Sequence, residues 1–127
     1  MSEKQLSELG DMMVRIDVVE DMNITEVHHG MCIGADQDFH NFILEFGGKI
    51  IGHPGYGKYD GDMRPNRAEV TVDELREELP YFERNRNIVD ECDILLACPY
   101  DNIEKGGTWY TINYAKKAGK KVIIFER

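Results

Sequence analysis

The feature that most constrains the fold of this chain is the alternation of short apolar runs with segments of helical periodicity. The apolar runs, which predict strands, lie at residues 25–29, 49–53, 94–98 and 121–125. Helices are predicted over residues 3–20, 36–46, 81–91 and 108–118. Strands that alternate with helices pair in parallel, because each crossover helix carries the chain back to the start of the sheet. The pattern therefore predicts an α/β fold with a mostly parallel sheet covered by helices on both faces.

Two capping boxes predict where helices begin. Ser2 and Gln5 have the spacing in which each side chain bonds the other residue's backbone N–H, and they open the first helix. Thr71 and Glu74 have the same spacing and predict a short helix that Pro80 ends or bends.

Length and charge restrict the class of protein. The 127 residues predict a single domain over residues 1–127, and the net charge of −9 argues against direct nucleic-acid binding or an anionic membrane surface. The chain contains no apolar run as long as a membrane span, and MSEKQLSELG lacks the blocks of a signal peptide. The three cysteines show no CxxC spacing and are expected to be reduced thiols. A cytoplasmic protein is predicted.

Polar and glycine-rich turns follow three of the predicted strands. They read 30-GMCIGAD-36, 53-HPGYG-57 and 99-PYDNIEKGGT-108. Carboxyl ends of parallel strands share one edge of a sheet, and ligands bind there beside the N-termini of helices. The polar run 54–69 is long enough to act as a lid over such a site.

The first turn has two interpretations. Gly30 and Gly34 allow positive φ or a close approach of backbone to a ligand, and Asp36 can cap the helix that follows. A plain strand-to-helix turn would have the same composition. His28, His29, Cys32 and His40 include metal-binding residue types, but their spacings match no standard zinc pattern, so no metal site is predicted.

Two further segments carry groups suited to an anion. Arg84 and Arg86, in 84-RNRN-87, carry planar guanidinium groups suited to phosphate or carboxylate. Arginines two apart on a helix point different ways, so at least one of them is expected to be solvated or paired with an acid such as Glu83 or Asp90. The run 106-GGTWYT-111 brings free N–H groups and the Thr108 hydroxyl to the start of a helix, which suits a phosphate.

The order and spacing of these motifs resemble the SLOG superfamily, which includes the LOG phosphoribohydrolases and DNA-processing protein A. The stretch 83–125 is similar to the nucleotide-binding half of that group, and HGMCIGAD looks like the corresponding turn of its small stand-alone bacterial and phage members. Arg84 falls on the LOG arginine, and Gly107 with Thr108 fall on its Gly-Thr. Thr111 stands where LOG enzymes carry a glutamate. The resemblance covers about residues 25–125 and implies a Rossmann-like three-layer αβα fold.

By this resemblance the domain is expected to bind a nucleotide or a nucleotide-derived ligand, without another cofactor. The phosphate would lie on Gly107 and Thr108, with Arg84 balancing its charge. Gly34 and Asp36 would lie near the ribose. The residues expected to bind the ligand are Gly30, Gly34, Asp36, His53, Arg84, Asn85, Gly106, Gly107 and Thr108, and Tyr56 could line the base together with His53.

Two alternatives stay open. One is an N-glycosidase that acts on nucleoside phosphates, with Asp36, Arg84 and Glu104 as candidate catalytic residues and Asp101 as a further carboxylate. The other is an interaction domain with a vestigial pocket. The family begins with a strand, whereas this sequence begins at the helix that follows it, so a missing first strand and a homodimer or larger assembly are predicted.

Overall fold

The computed structural model describes residues 1–19, 24–57, 67–100, 104 and 106–127. Its α-helices are α1 (Glu3–Val14), α2 (Ala35–Phe46), α3 (Tyr81–Glu91) and α4 (Gly107–Lys117). Its strands are β1 (Glu26–His29), β2 (Lys49–Gly52), β3 (Gly55–Tyr56), β4 (Glu74–Leu75), β5 (Leu79–Pro80), β6 (Ile94–Ala97) and β7 (Lys121–Ile124). The predicted α/β class is confirmed.

All strand pairs of the described residues are parallel. β1, β2 and β4 form one sheet in the order β1-β2-β4, β6 pairs with β7, and β3 pairs with β5. The long pairs extend over four residues, from Glu26 opposite Lys49 to His29 opposite Gly52 in the first sheet. The parallel sheet is thus divided into small units, with β1 and β6 in different sheets.

The first helix begins as predicted but ends early. The Ser2 hydroxyl accepts a hydrogen bond from the backbone N–H of Gln5, and the Gln5 side chain accepts one from the Ser2 N–H in return. The α-helix ends at Val14, and a π-helical turn follows at Arg15–Val19. Helical periodicity alone does not distinguish the wider π turn from the α-helix that it extends.

Two apolar clusters hold the helices on the strands. In the first, Leu9 and Met13 of α1 pack with Val27, Ile43 and Ile50. The second joins α3 and α4 to the β6–β7 pair and consists of Val89, Leu95, Ala97, Ile112 and Ala115. These two clusters bury apolar residues whose spacing predicted the helices.

The predicted helix that begins at the second capping box is wrong. Glu74–Leu75 pairs instead with Ile51–Gly52 as β4, and the Asp73 carboxylate accepts a hydrogen bond from the Ile50 N–H. The free edge of β2 offers backbone partners that a short polar helix lacks, so tertiary pairing prevails over the capping signal. Pro80 precedes α3 as its N-cap residue.

The edges of β1 and β6 are both open within the described part of the chain. Each of these strands has a single paired neighbour there, and both line one cleft of about 1580 Å³. Both strands lead towards the start of α1. The Met1 ammonium pairs with Asp38, in the first turn of α2 after β1, and Gln5 donates to the carbonyl of Pro99, after β6. The cleft therefore lies between the open edges of β1 and β6, two strands that run in the same direction.

No helix among the described residues is both long enough and apolar enough to cross a membrane.

Candidate functional site

The buried guanidinium of Arg84 lies in the wall of the cleft at the carboxyl ends of β1 and β2. Arg84 is 5 % exposed. Its Nη1 donates to the Gly30 carbonyl at 2.6 Å and to the His53 carbonyl at 2.9 Å. Its Nε donates to the Asn85 side chain, and its Nη2 lies 3.5 Å from the Cys32 sulfur. Within the described residues no carboxylate forms a salt bridge with Arg84. The Asp36 carboxylate lies nearby, since its Oδ2 and Arg84 Nη1 lie 3.0 and 2.6 Å from a Cβ built on Gly30.

Two glycines make the room for this guanidinium. A Cβ added at Gly30 would lie 2.6 Å from Arg84 Nη1, and one added at Gly55 would lie 3.0 Å from Arg84 Cζ. The first distance is shorter than real Cβ contacts, and the second is at their lower limit. Gly30 is therefore needed for the close approach of Arg84. The ring of Tyr81 lies on the guanidinium, with 5.2 Å between Cζ and the ring centroid.

The turn between β1 and α2 is held by Asp36, although not in the predicted way. Gly34, at φ 103, is the N-cap residue, and no side chain caps the helix. The Asp36 carboxylate bonds backward, to the backbone N–H of Cys32 at 3.1 Å. The predicted capping role of Asp36 is thus corrected: the helix begins one residue earlier, at Ala35, and Asp36 closes the turn.

The start of α4 forms another part of the cleft wall. Gly106 is its N-cap residue at φ 91 and has no side chain to cap the first turn. Gly107 and Thr108 line the cleft, and the Asn85 Nδ2 lies 3.9 Å from a Cβ built on Gly107. The first turn of α4 thus lies near the segment that carries Arg84.

The structure brings most of the predicted ligand-binding residues to this cleft. Those that line it are Gly30, Gly34, Asp36, Arg84, Asn85, Gly107 and Thr108, and Tyr56 lines it as well. His53 and Gly106 do not line it, and Glu104 is exposed and away from it. Asp101 lies outside the described residues, as does the central part of the predicted lid, 58–66.

Two other side chains lie beside the predicted site. Arg86 is exposed, as expected for one of the two arginines, and donates to the Tyr110 hydroxyl at 3.0 Å. The Thr111 hydroxyl donates to the Gly107 carbonyl at 2.9 Å. Thr111 lines the cleft and supplies no carboxylate there, so the position of the LOG glutamate carries no acid or base.

The two adjacent histidines of β1 point to opposite faces of the sheet, as alternation along a strand requires. His29 meets His40 of α2, with 3.0 Å between their ring nitrogens. Burial lowers the pKa of His29 to about 4 and also lowers the pKa of His40. Burial raises the pKa of the Cys32 thiol. These groups are therefore neutral near pH 7 and form a buried polar cluster.

On the other face, a chain of side chains links β1 to α3. His28 Nδ1 lies 2.7 Å from His53 Nε2, and His28 Nε2 lies 2.6 Å from Glu26 Oε1. His53 Nε2 lies 3.3 Å from Glu91 Oε2. Burial lowers the pKa of His53 to about 4, and hydrogen bonds from Arg76 lower the pKa of Glu91. Sequence reasoning missed this cluster, because its members are separated by 25 residues or more along the chain apart from Glu26 and His28.

In comparisons with known proteins, no family model, no curated protein and no solved structure matches the chain. The resemblance to the SLOG superfamily thus stays a prediction from the sequence. Any function must be argued from the geometry of the cleft.

Proposed function

We propose that this protein binds a nucleotide or nucleotide-derived ligand, with its phosphate between Arg84 and the first turn of α4. The single observation that carries the proposal is the buried positive charge of Arg84, whose described hydrogen bonds all go to neutral groups. A buried charge is costly unless it is paired. An anion in the cleft would form the direct ion pair that the described residues do not provide.

The start of α4 supports a phosphate rather than another anion. The first turn of any helix has N–H groups that the helix itself leaves without acceptors, and the positive end of the helix dipole lies there. In α4 the N-cap residue is glycine, which has no side chain to cap this turn, and Thr108 adds a hydroxyl. Phosphate has enough acceptor oxygens to bond the N–H groups of α4 and the polar groups near Arg84 together. Tyr56 and Tyr81 also line the cleft and offer ring faces on which a base could stack.

Binding without hydrolysis is the form of the proposal that the side chains favour. Thr111 has no carboxylate, and the exposed Glu104 is away from the cleft. Asp36 is the remaining predicted carboxylate in the cleft, and it already accepts the Cys32 N–H. Of the carboxylates predicted for N-glycosidic cleavage that the structure describes, only Asp36 lines the cleft and could act there as acid or base.

The test compares two arginines of the same helix. A panel of nucleotides is screened by thermal shift, and the best ligand is titrated by calorimetry into wild type, Arg84→Gln and Arg86→Gln. Loss of a charge-assisted contact to phosphate should cost Arg84→Gln about 1.5 to 3 kcal/mol, or roughly ten- to a hundredfold in affinity. Arg86→Gln is the matched control, because Arg86 bonds Tyr110 on the surface.

Chromatography of the same mixtures follows any release of base. Equal affinity in Arg84→Gln and wild type would refute the placement of the phosphate. Turnover of the ligand by the wild type would refute binding without hydrolysis and would direct attention to Asp36.

A further inference from the structure

The cluster of His28, His53 and Glu91 joins three elements that are distant in sequence. His28 lies on β1, His53 follows β2, and Glu91 is the last residue of α3. One nitrogen or oxygen atom from each lies within 4.8 Å of the other two. Two imidazoles and one carboxylate form a donor set that suits borderline divalent metals and leaves a coordination position open.

The geometry points to a binding site for one divalent transition-metal ion of the zinc type, held by His28 Nδ1, His53 Nε2 and Glu91 Oε2. Nothing in the nucleotide-binding proposal requires this ion, and the two proposals stand independently. The sequence prediction of no metal rested on the spacings of His28, His29, Cys32 and His40, a set that shares only His28 with this cluster.

The distance between the proposed ligand atoms of His53 and Glu91 matches that of a tetrahedral site. Ligands at 2.0 to 2.1 Å from zinc lie about 3.3 Å apart in a tetrahedron, and His53 Nε2 lies 3.3 Å from Glu91 Oε2. The two imidazole nitrogens lie closer, at 2.7 Å, where they now share a hydrogen bond. They must separate by roughly 0.6 Å to admit an ion of this geometry. A change of this size requires a rotation of the rings, whose planes are tilted by 36°.

Two neighbouring side chains orient the ligands. Glu26 accepts from the outer nitrogen of His28, so that Nδ1 is left with its lone pair towards His53. Arg76 donates to Glu91 Oε1 through Nε at 3.1 Å and through Nη2 at 2.9 Å, and its Nε also lies 3.4 Å from Oε2. Glu91 Oε2 faces His53 Nε2 at 3.3 Å. Carboxylates that hold the second nitrogen of a ligating histidine are a recurrent feature of metal sites.

Burial and access also suit an ion with one open position. The side chains of His28 and His53 are 6 % and 3 % exposed, whereas that of Glu91 is 36 % exposed. His28 and Glu91 line the cleft. A water molecule or a donor atom of a ligand could therefore complete the coordination from the cleft side.

The test uses the full chain, purified without a metal-affinity tag and stripped with a chelator. Co²⁺ is titrated while its visible absorption is recorded, and Zn²⁺ is titrated by calorimetry. We expect one equivalent of either ion, with no thiolate band in the cobalt spectrum. His53→Gln should abolish the spectrum, and Glu26→Gln should weaken binding about ten- to a hundredfold.

Cys32→Ser is the matched control. It removes the thiol of the sequence set His28, His29, Cys32 and His40 and leaves the three proposed ligands intact. If His53→Gln fails to fold by circular dichroism, Glu91→Gln replaces it, since that exposed amide keeps an acceptor for Arg76. Absence of one-to-one binding in the wild type would overturn the proposal. Binding that survives Glu91→Gln or is lost in Cys32→Ser would also overturn it.

Discussion

Replacing Gly30 by alanine should destabilise the protein through its contact with Arg84. The new Cβ would lie 2.6 Å from Nη1, 2.9 Å from Cζ and 3.0 Å from an Asp36 carboxylate oxygen. The guanidinium would have to withdraw by roughly 0.8 Å to reach ordinary contact distance. This movement would weaken its hydrogen bonds to the Gly30 and His53 carbonyls.

Overpacking of a buried site and weakened charge-assisted hydrogen bonds each cost about 1 to 3 kcal/mol, and a sum of about 2 to 6 kcal/mol is expected for Gly30→Ala. Gly10→Ala is the matched control. Gly10 lies inside α1, and its added Cβ would meet Phe42 of α2 at 3.4 Å, an ordinary contact distance. That substitution should stabilise the helix by about 0.5 to 1 kcal/mol. Urea denaturation followed by circular dichroism measures both changes.

A double-mutant cycle isolates the contact with Arg84. In an Arg84→Met background the guanidinium is absent, so Gly30→Ala should cost at least about 1 kcal/mol less than in the wild type. The coupling energy is obtained from four urea curves recorded under the same conditions. If the two changes add within about 0.5 kcal/mol, the steric argument for Gly30 is refuted.

Three more predictions address the cleft, the buried histidines and the open strand edges. Thr111→Ala should leave ligand affinity within about twofold by calorimetry, because its hydroxyl bonds the Gly107 carbonyl; a tenfold loss would contradict this. Since burial lowers the pKa of His29 and His53 to about 4, the unfolded chain takes up protons below about pH 6.5 that the folded chain does not. The urea concentration at half unfolding should therefore decrease as the pH is lowered from about 7 to about 4.5, and a constant midpoint would argue against neutral buried imidazoles. Because the edges of β1 and β6 are unpaired in the described chain, we expect a dimer or larger assembly by light scattering, and a monomer at high micromolar concentration would contradict it.

The local pattern of the sequence was enough to predict most of the helices and strands. Helical periodicity predicted α2, α3 and α4, and the short apolar runs predicted β1, β2, β6 and β7. These features depend on neighbouring residues, whose spacing decides which face of an element is apolar. The rule that parallel strands end at one edge also predicted that the turns carrying Gly30 and Thr108 open together, and both residues line the cleft.

Only the tertiary structure decided which partners those residues have. The Thr71 and Glu74 spacing predicted a helix, but Glu74–Leu75 forms a strand that pairs with the free edge of β2. The need for glycine at position 30 arises from Arg84, 54 residues away. His53 and Glu91 meet His28 across three elements. Such contacts depend on how the elements pack against each other, and spacing along the chain carries no record of that packing.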